Sequence, residues 1–491
     1  MEKDKNVIFD IRVEEFSYGE TPQLKDINLQ IEKGEFILIT GLSGCGKTTL
    51  LRILNGLIPD FYEGKLKGDV RLYGKSITDY EKGELAKYIG NVFQNPKDQF
   101  FSTIAEDEVA LVGENLGMER ETLKRKVYES MKNMGIENLK ECSVFELSGG
   151  QRQKVAIASS LVYDTDIILL DEPSASLDYF SINELRKVLK ELKENGKTII
   201  VVDHRLYYLK DIFDRLVYMK DCTIGNIYKS SEINEEIRKE NSLRCLDEKN
   251  LKGEKPNLSE IDIKKKKPDS IYVKGISVKA GKKMLIPELT FSVQEGECMG
   301  VIGTNGIGKT TLARELCGLI KLPKGETGYA GNKKGRLKSC YFVLQDPDSQ
   351  LFAHTVEHEI IPKERMADEE YLKRAKEYLR RADLWEKRKD HPQELSTGEK
   401  QRLVLVTAFL SDRRFLILDE PSSGLDYKRM NLSAELIAEK SENTPIILIT
   451  HDSELLFKTC NTVLMINKKG YRKIDVKGNE KEIMGFLHSN C

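Results

Sequence analysis

The sequence predicts an α/β fold made twice, as two tandem P-loop domains, each with a mostly parallel sheet covered by helices on both faces. Three observations carry this reading. Short continuous apolar runs alternate with helical patterns, and the pattern Gly-x4-Gly-Lys-Thr occurs twice. The same ordered set of motifs also returns at an offset of about 250 residues, the mark of an internal duplication.

In the first copy, Phe36 to Thr40 is an apolar strand running into a glycine loop, and a helix follows from Thr48 with Leu50, Leu51, Ile53 and Leu54 on its buried side. Asp166 to Leu170 is a second strand. Ile182, Leu185, Val188, Leu189 and Leu192 form a helical stripe closed by Gly196, and Thr198 to Val202 is a third strand. Strands that are apolar throughout are buried on both faces, which favours parallel pairing, with ligands at their carboxyl ends. Between the copies, Asp247 to Pro268 is Lys- and Glu-rich and ends in the run Lys264 to Lys267. It reads as a solvated linker between domains 1–246 and 269–491, its lysines a solubilising surface rather than an RNA or lipid contact.

The chain has 491 residues, about three times an ordinary domain, and its 40% hydrophobic content supplies ordinary cores. Lys plus Arg (78) nearly cancels Asp plus Glu (79), so any charged partner must be met locally. The 9 cysteines are scattered with no Cys-x-x-Cys pair, which reads as cytosolic thiols rather than a disulfide framework or metal centre. No apolar stretch follows a basic start, and the apolar runs fall far short of the roughly 18 to 20 residues of a membrane span. Neither a signal peptide nor a transmembrane segment is expected.

The glycine loops are the strongest chemical signal. Gly41, Ser43, Gly44, Cys45, Gly46, Lys47, Thr48 and Thr49 in the first copy match Gly303, Asn305, Gly306, Ile307, Gly308, Lys309, Thr310 and Thr311 in the second. Such a loop turns backbone N–H groups inward at a helix start, so it holds phosphate; Lys47 and Lys309 reach the terminal phosphates, and the Thr48 and Thr310 hydroxyls hold Mg²⁺. Asp171 and Asp419 each end an apolar strand and can orient the metal. Glu172 and Glu420 follow, placed to accept a proton from, or align, a water attacking the γ-phosphate. His204 and His451 end β runs at matching positions and are expected at the γ-phosphate. His354 and His358 have the four-residue spacing of a metal pair but match Thr103 and Asp107 in the other copy, so ligation is not expected.

With Leu147-Ser-Gly-Gly-Gln151 and Leu395-Ser-Thr-Gly-Glu399 also in order, the chain resembles ATP-binding cassette (ABC) ATPases along nearly its whole length, twice. The resemblance implies two RecA-like sheets, each with an antiparallel β portion and a helical signature subdomain. It implies ATP and Mg²⁺ as cofactors, with two ATP molecules held head to tail between the cassettes of this one chain and no homodimer required. One composite site would pair Lys309, Glu420 and His451 with Ser148, Gly149, Gly150 and Gln151. The other would pair Lys47, Glu172 and His204 with Ser396, Gly398 and Glu399. Thr397 and Glu399 depart from the family pattern, so the site using the first P-loop is expected to hydrolyse more slowly. Tyr18 is placed like the family's adenine-stacking aromatic, whereas Val278 occupies that place in the second copy.

Gln94 and Gln345 open the segments Gln94-Asn-Pro-Lys-Asp-Gln-Phe-Phe101 and Gln345-Asp-Pro-Asp-Ser-Gln-Leu-Phe352. The resemblance places both glutamines at the metal and the attacking water, and connects them to a membrane partner. These segments are similar to those of energy-coupling factor (ECF) importers, the cobalt and vitamin type. That implies a transmembrane coupling subunit, a small substrate-binding membrane subunit, and a peripheral location on the cytoplasmic face of the cell membrane, with no nucleic acid partner. Glu106, Asp107 and Glu108 would then face arginines of the partner, while Phe100, Phe101, Leu351 and Phe352 pack. The rival is a cytosolic tandem cassette that remodels ribosomes or nucleic acid; such proteins usually carry a long helical arm or clustered cysteines, which this sequence lacks. A third reading, the ATPase of a sugar importer, differs mainly around Gln94 and Gln345.

Overall fold

The structure, a computed structural model, describes residues 6–175, 177–257, 271–280 and 283–489. The chain divides into two compact units, Met1–Leu246 and Asp247–Cys491.

In the first unit, β1 (Val7–Ser17) and β2 (Pro22–Glu32) pair antiparallel. Phe9, Ile11 and Val13 are buried on one face of β1 while Arg12 and Glu14 point to solvent, the period-2 pattern of a half-covered strand. With β4 (Lys65–Leu72) and β5 (Lys75–Ser76) they form an antiparallel sheet in the order β2-β1-β4-β5. The central sheet uses β3 (Phe36–Gly41), β6 (Ile89–Val92), β7 (Ile167–Asp171), β8 (Thr198–Val202), β9 (Arg215–Lys220) and β10 (Thr223–Lys229). Its order is β10-β9-β3-β8-β7-β6, parallel except for the β9-β10 hairpin. Strands β3, β7 and β8 are buried along their whole length, and alternate residues serve opposite layers. Leu38, Leu170 and Val201 join the apolar cluster under helices Ala105–Asn115, Arg120–Asn133 and Gly149–Leu161. Ile37, Ile39 and Ile200 join the cluster shared with the antiparallel sheet and helix Lys47–Leu54. The two-faced burial read from the sequence is present.

The second unit repeats this plan. Strands β11 (Ile271–Ala280), β12 (Lys283–Val293) and β14 (Glu326–Thr327) make the antiparallel sheet, in the order β12-β11-β14. The central sheet holds β13 (Cys298–Ile302), β15 (Cys340–Val343), β16 (Phe415–Asp419), β17 (Ile446–Ile449), β18 (Thr462–Asn467) and β19 (Gly470–Asp475). Its order, β15-β16-β17-β13-β18-β19, is that of the first unit strand for strand.

One expectation is corrected. Asp247–Asn257, the first half of the segment read as a solvated linker, lies on the second unit. Glu254 N donates to the Phe457 carbonyl at 2.9 Å, and Lys255 Nζ to the Ala438 carbonyl at 2.9 Å. These carbonyls belong to the last turns of helices Ser453–Thr459 and Tyr427–Ser441, where no intrahelical N–H is available. Asn461 Nδ2 reaches the Pro256 carbonyl at 2.9 Å, and buried Glu248 accepts from the Ser453 hydroxyl. A polar segment can thus be well ordered by satisfying helix ends. The run Lys264 to Lys267 and Pro268 lie outside the described residues.

Candidate nucleotide sites

Each glycine loop lies between a central strand and a helix: β3 to Lys47–Leu54, and β13 to Lys309–Cys317. Gly46 and Gly308, just before the helices, have φ of 93° and 110°, in the left-handed region that glycine enters without strain. A Cβ on Gly46 would lie 2.4 Å from the Gln23 carbonyl oxygen, so the loop tolerates no side chain there. Lys47 Nζ donates to the Gly41 carbonyl at 3.1 Å and the Leu42 carbonyl at 2.9 Å; Lys309 Nζ does the same to Gly303 (2.6 Å) and Thr304 (3.1 Å). Cys45, Thr49 and Ile307 bury their side chains, while Gly44 and Gly306 are also left-handed. Ser43 and Thr311 are half-buried.

The acids sit at the carboxyl ends of β7 and β16. Thr48 hydrogen-bonds Asp171 and Thr310 hydrogen-bonds Asp419. One carboxylate oxygen of each aspartate is buried with no hydrogen-bond partner among the described residues. A hydroxyl beside a carboxylate with a spare oxygen is a hard-oxygen set that suits Mg²⁺. Burial pushes the Asp171 carboxyl up to about 6 and raises that of Asp419, so an arriving cation finds groups with unmet charge demand.

Glu172 and Glu420 adopt φ of 47° and 50°. A non-glycine residue there costs on the order of 1 to 3 kcal/mol, and its occurrence at matching turns of both units points to a requirement of the site. Backbone bonds hold the turns: Glu172 N to the Val202 carbonyl (2.7 Å) and Glu420 N to the Ile449 carbonyl (2.9 Å). Burial first, and neighbouring Asp171 second, push the Glu172 carboxyl up to about 8.

Around these glutamates the units differ. Gln94 Nε2 donates to Glu172 Oε2 at 3.0 Å, and His204 Nε2 lies 3.6 Å from Oε1. Glu420 Oε2 instead accepts from the Thr450 hydroxyl and the His451 N–H, both at 3.3 Å. Gln345 is exposed and makes no hydrogen bond to Glu420. His451 Nε2 lies 3.8 Å from Glu420 and 3.1 Å from Asn305 Oδ1, tying the histidine to the glycine loop. Thr450 and this Asn305 tie carry no repeat signal and were not foreseen.

The signature serines differ more. Ser148 caps helix Gly149–Leu161: its hydroxyl accepts from Gln151 N at 3.3 Å, and its own N–H donates to Gln151 Oε1 at 2.9 Å. Gly149 and Gly150 open that helix. Ser396 caps helix Thr397–Leu410, in whose first turn Gly398 lies, but its hydroxyl donates to Glu399 Oε2 at 2.9 Å. Lys387 Nζ bonds the other oxygen of Glu399 at 2.9 Å. Burial alone would raise the Glu399 carboxyl, but Lys387 and the Ser396 bonds outweigh it and hold it below its ordinary value. Glu399 therefore stays ionised, and the Ser396 proton points at it.

Tyr18, just beyond β1, is 40% exposed; its hydroxyl accepts from Arg52 at 3.3 Å, and the Arg52 guanidinium stacks 4.2 Å from the Tyr62 ring. Val278 is fully buried in β11, so the second unit offers no aromatic surface at that place.

The segments after Gln94 and Gln345 need two corrections. Glu108 is buried and turned inward, accepting from Phe101 N (2.9 Å) and Ser102 N (2.7 Å), so it faces no partner; Glu359 does the same for Phe352 N and Ala353 N. Glu106 and Asp107 are exposed. Phe100 and Leu351 pack inward, but Phe101 and Phe352 are 85% and 81% exposed. Phe101 borders a groove of about 450 Å³ in the first unit, lined also by Phe93, Gln99, Leu111, Val112 and Tyr163. His358 Nδ1 bonds the Thr355 hydroxyl at 2.8 Å, a helix-start contact.

The ABC transporter family model matches residues 24–175 and again 286–423. The chain belongs to the ABC transporter family. A protein of Treponema denticola provisionally named an ABC transporter ATP-binding protein is 39% identical over 462 residues, covering 92% of this chain and 94% of that one. A Bacillus subtilis protein provisionally named the HMP/thiamine import ATP-binding protein YkoD is 32% identical, covering 93% and 89%. Among solved structures, the archaeal ribosome recycling factor aABCE1 superposes with a TM-score of 0.65 over 99% of this chain and 93% of that one. At 20% identity that likeness is one of fold. As a tandem ABC ATPase the chain binds and hydrolyses ATP with Mg²⁺. No helix among the described residues is long and apolar enough to cross a membrane.

Proposed function

We infer that the chain is the ATPase subunit of an ECF-type importer, driving uptake of a vitamin or metal-ion micronutrient through separate membrane subunits at the cytoplasmic face of the membrane. The observation that carries this reading is the pair of exposed phenylalanines, Phe101 and Phe352, each held out by a loop whose N–H groups are capped by a glutamate seven residues on, buried Glu108 in the first unit and half-buried Glu359 in the second. Large exposed aromatics at matching places of two repeats, one beside an apolar groove, mark a protein partner surface. The B. subtilis relative's name adds support for import.

In this reading Lys47 and Lys309 bind the terminal phosphates, Thr48, Asp171, Thr310 and Asp419 hold Mg²⁺, and Glu172 and Glu420 align the attacking water. Gln94, His204 and His451 stand beside those glutamates, and with Gln345, which is exposed and would turn to the nucleotide on binding, they report nucleotide state to the partner surface. Each P-loop is completed by the other unit's signature serine, giving two composite sites. The site of Lys309 and Ser148 is the faster, because the Ser396 hydroxyl is already committed to Glu399. Closure on ATP pushes the partner and hydrolysis releases it.

Affinity purification after mild detergent extraction tests the reading. A multispanning membrane protein together with a small substrate-binding membrane subunit should co-purify. Recovery of ribosomes with no multispanning protein would replace it with the remodelling alternative, for which the likeness to aABCE1 speaks only at the level of fold.

A further inference from the structure

The second unit carries a cationic cluster that the nucleotide chemistry does not use. Helix Glu369–Arg381 places Lys376 and Arg380 one turn apart. Beyond it, buried Arg402 of the signature helix holds the Ala382 carbonyl at 2.8 Å, Asp383 turns the chain with φ 56°, and buried Leu384 anchors it. Trp385 thereby folds back against the helix end. Around its ring stand Arg388 at 4.4 Å, Lys376 at 5.1 Å and Arg380 at 5.3 Å from the centroid, and Arg388 also donates to the Trp385 carbonyl at 2.9 Å. Their neighbours Arg381 and Lys387 are paired with Glu439 and Glu399. None of the three has a carboxylate within ion-pair distance among the described residues.

We propose that Trp385, Lys376, Arg380 and Arg388 form a docking site for the phosphate of an anionic phospholipid headgroup, bringing the second unit's helical layer against a membrane surface. The indole's negative face holds three cations together but neutralises none, so their field stays directed at solvent. An amphipathic ring ringed by long basic side chains is the residue set of a membrane–water interface. A chain of net charge -1 has no general attraction to an anionic surface, so attraction must come from such a local cluster. One indole and three cations match one or two phosphates; an RNA strand needs a longer basic track and successive stacking rings. The site is one-sided. Aligned without gaps from the signatures, Glu137 stands in the first unit where Trp385 stands in the second, and Tyr128 where Lys376 stands.

Trp385 is the chain's only tryptophan, so emission from the full chain reports this site alone. Vesicles of phosphatidylcholine with roughly one-third phosphatidylglycerol should blue-shift the emission and sediment the chain, and pure phosphatidylcholine should do neither. The triple variant Lys376→Gln/Arg380→Gln/Arg388→Gln should lose about fivefold in partitioning per charge removed, about a hundredfold in all. Lys124→Gln/Arg125→Gln/Lys132→Gln, which removes the same charge from helix Arg120–Asn133, should lose less than about threefold. Equal losses in both triples, or emission that responds to poly(U) or inorganic phosphate but not to anionic vesicles, would overturn the proposal. It rests on the import reading only for placing a membrane nearby. Because the vesicles contain no membrane subunit, vesicle binding without any co-purifying multispanning partner would sink the import reading and leave this site standing, and the converse result would do the reverse.

Discussion

The two units share a strand order and a lysine clasp over the glycine loop, yet they use their signature serines in opposite ways. Ser148 accepts a backbone N–H and keeps its own proton available, whereas Ser396 gives its proton to Glu399. Duplication has preserved what grips phosphate and altered the signature serine proposed to complete the opposite phosphate site. A single residue type makes the difference. Glutamine at the third helical position offers a neutral amide to the cap, and glutamate offers a carboxylate that Lys387 keeps ionised in a place where a helix start would otherwise favour phosphate.

The largest expected effect separates the two glutamates. Glu420→Gln should lower steady-state ATP turnover by about a hundredfold or more, the usual scale for removing a proton-accepting or water-aligning group. Glu172→Gln should lower it by less than about tenfold if its site is the slower, as proposed. Turnover measured on both variants at saturating ATP decides it, and equal losses would end the claim of unequal sites. With both replaced, the chain should stay loaded with ATP, and turnover at the wild-type rate would exclude the role given to both.

The second comparison concerns stability. Ile53 is buried in the first unit's core; its counterpart is Glu315, equally buried, with both carboxylate oxygens lacking a hydrogen bond. Burial pushes the Glu315 carboxyl up to about 7, against 4.5 ordinarily, with the nearby Lys279 backbone N–H and then Arg336 only partly offsetting it. The folded chain then keeps a proton that the unfolded chain releases, so the second unit loses stability as pH rises from about 4.5 to about 7 and is flat beyond. Glu315→Ile should stabilise that unit by about 1 to 3 kcal/mol at pH 8 and erase the slope. Urea unfolding at pH 5 and pH 8 checks both; a variant with the wild-type slope would mean the carboxylate finds partners when ionised.

How much of this was legible in the sequence follows from what each feature depends on. The sheets were readable because β3, β7 and β8 are apolar along their length, and the nucleotide machinery because motif order repeats. The segment Asp247–Asn257 misled because its polar residues bond helix ends distant in sequence, which composition does not encode. Glu108 misled because one acidic run holds residues with opposite fates: two face solvent, and the third turns inward to cap a loop. Sequence spacing named Glu399 as a departure, but its ion pair with Lys387 is visible only once the preceding loop folds back on the helix start.

That ion pair supplies a third test. Glu399→Gln would give the second signature the neutral cap of the first and release the Ser396 hydroxyl. In a Glu420→Gln background, where the site proposed to be weaker carries the turnover, it should raise ATP turnover about tenfold to a hundredfold, the worth of one hydrogen bond to a charged group. No change would mean that Thr397, not Glu399, limits the site, and Thr397→Gly in the same background would then show the gain.

The smallest effect lies at the Tyr18 platform, where the units differ by a whole ring. Tyr18→Ala should weaken ATP binding at the first P-loop by roughly tenfold, the worth of one stacked base. Tyr18→Phe keeps the ring and removes only the hydroxyl that Arg52 holds at 3.3 Å. Because that bond is exposed, its loss should cost only about twofold, through a ring that samples more orientations before the base arrives. Inorganic triphosphate, which has no base to stack, should bind both variants like wild type. Equal weakening of triphosphate and ATP in Tyr18→Ala would mean that the ring supports the glycine loop itself, and the difference between the units would then be one of loop stability rather than base recognition.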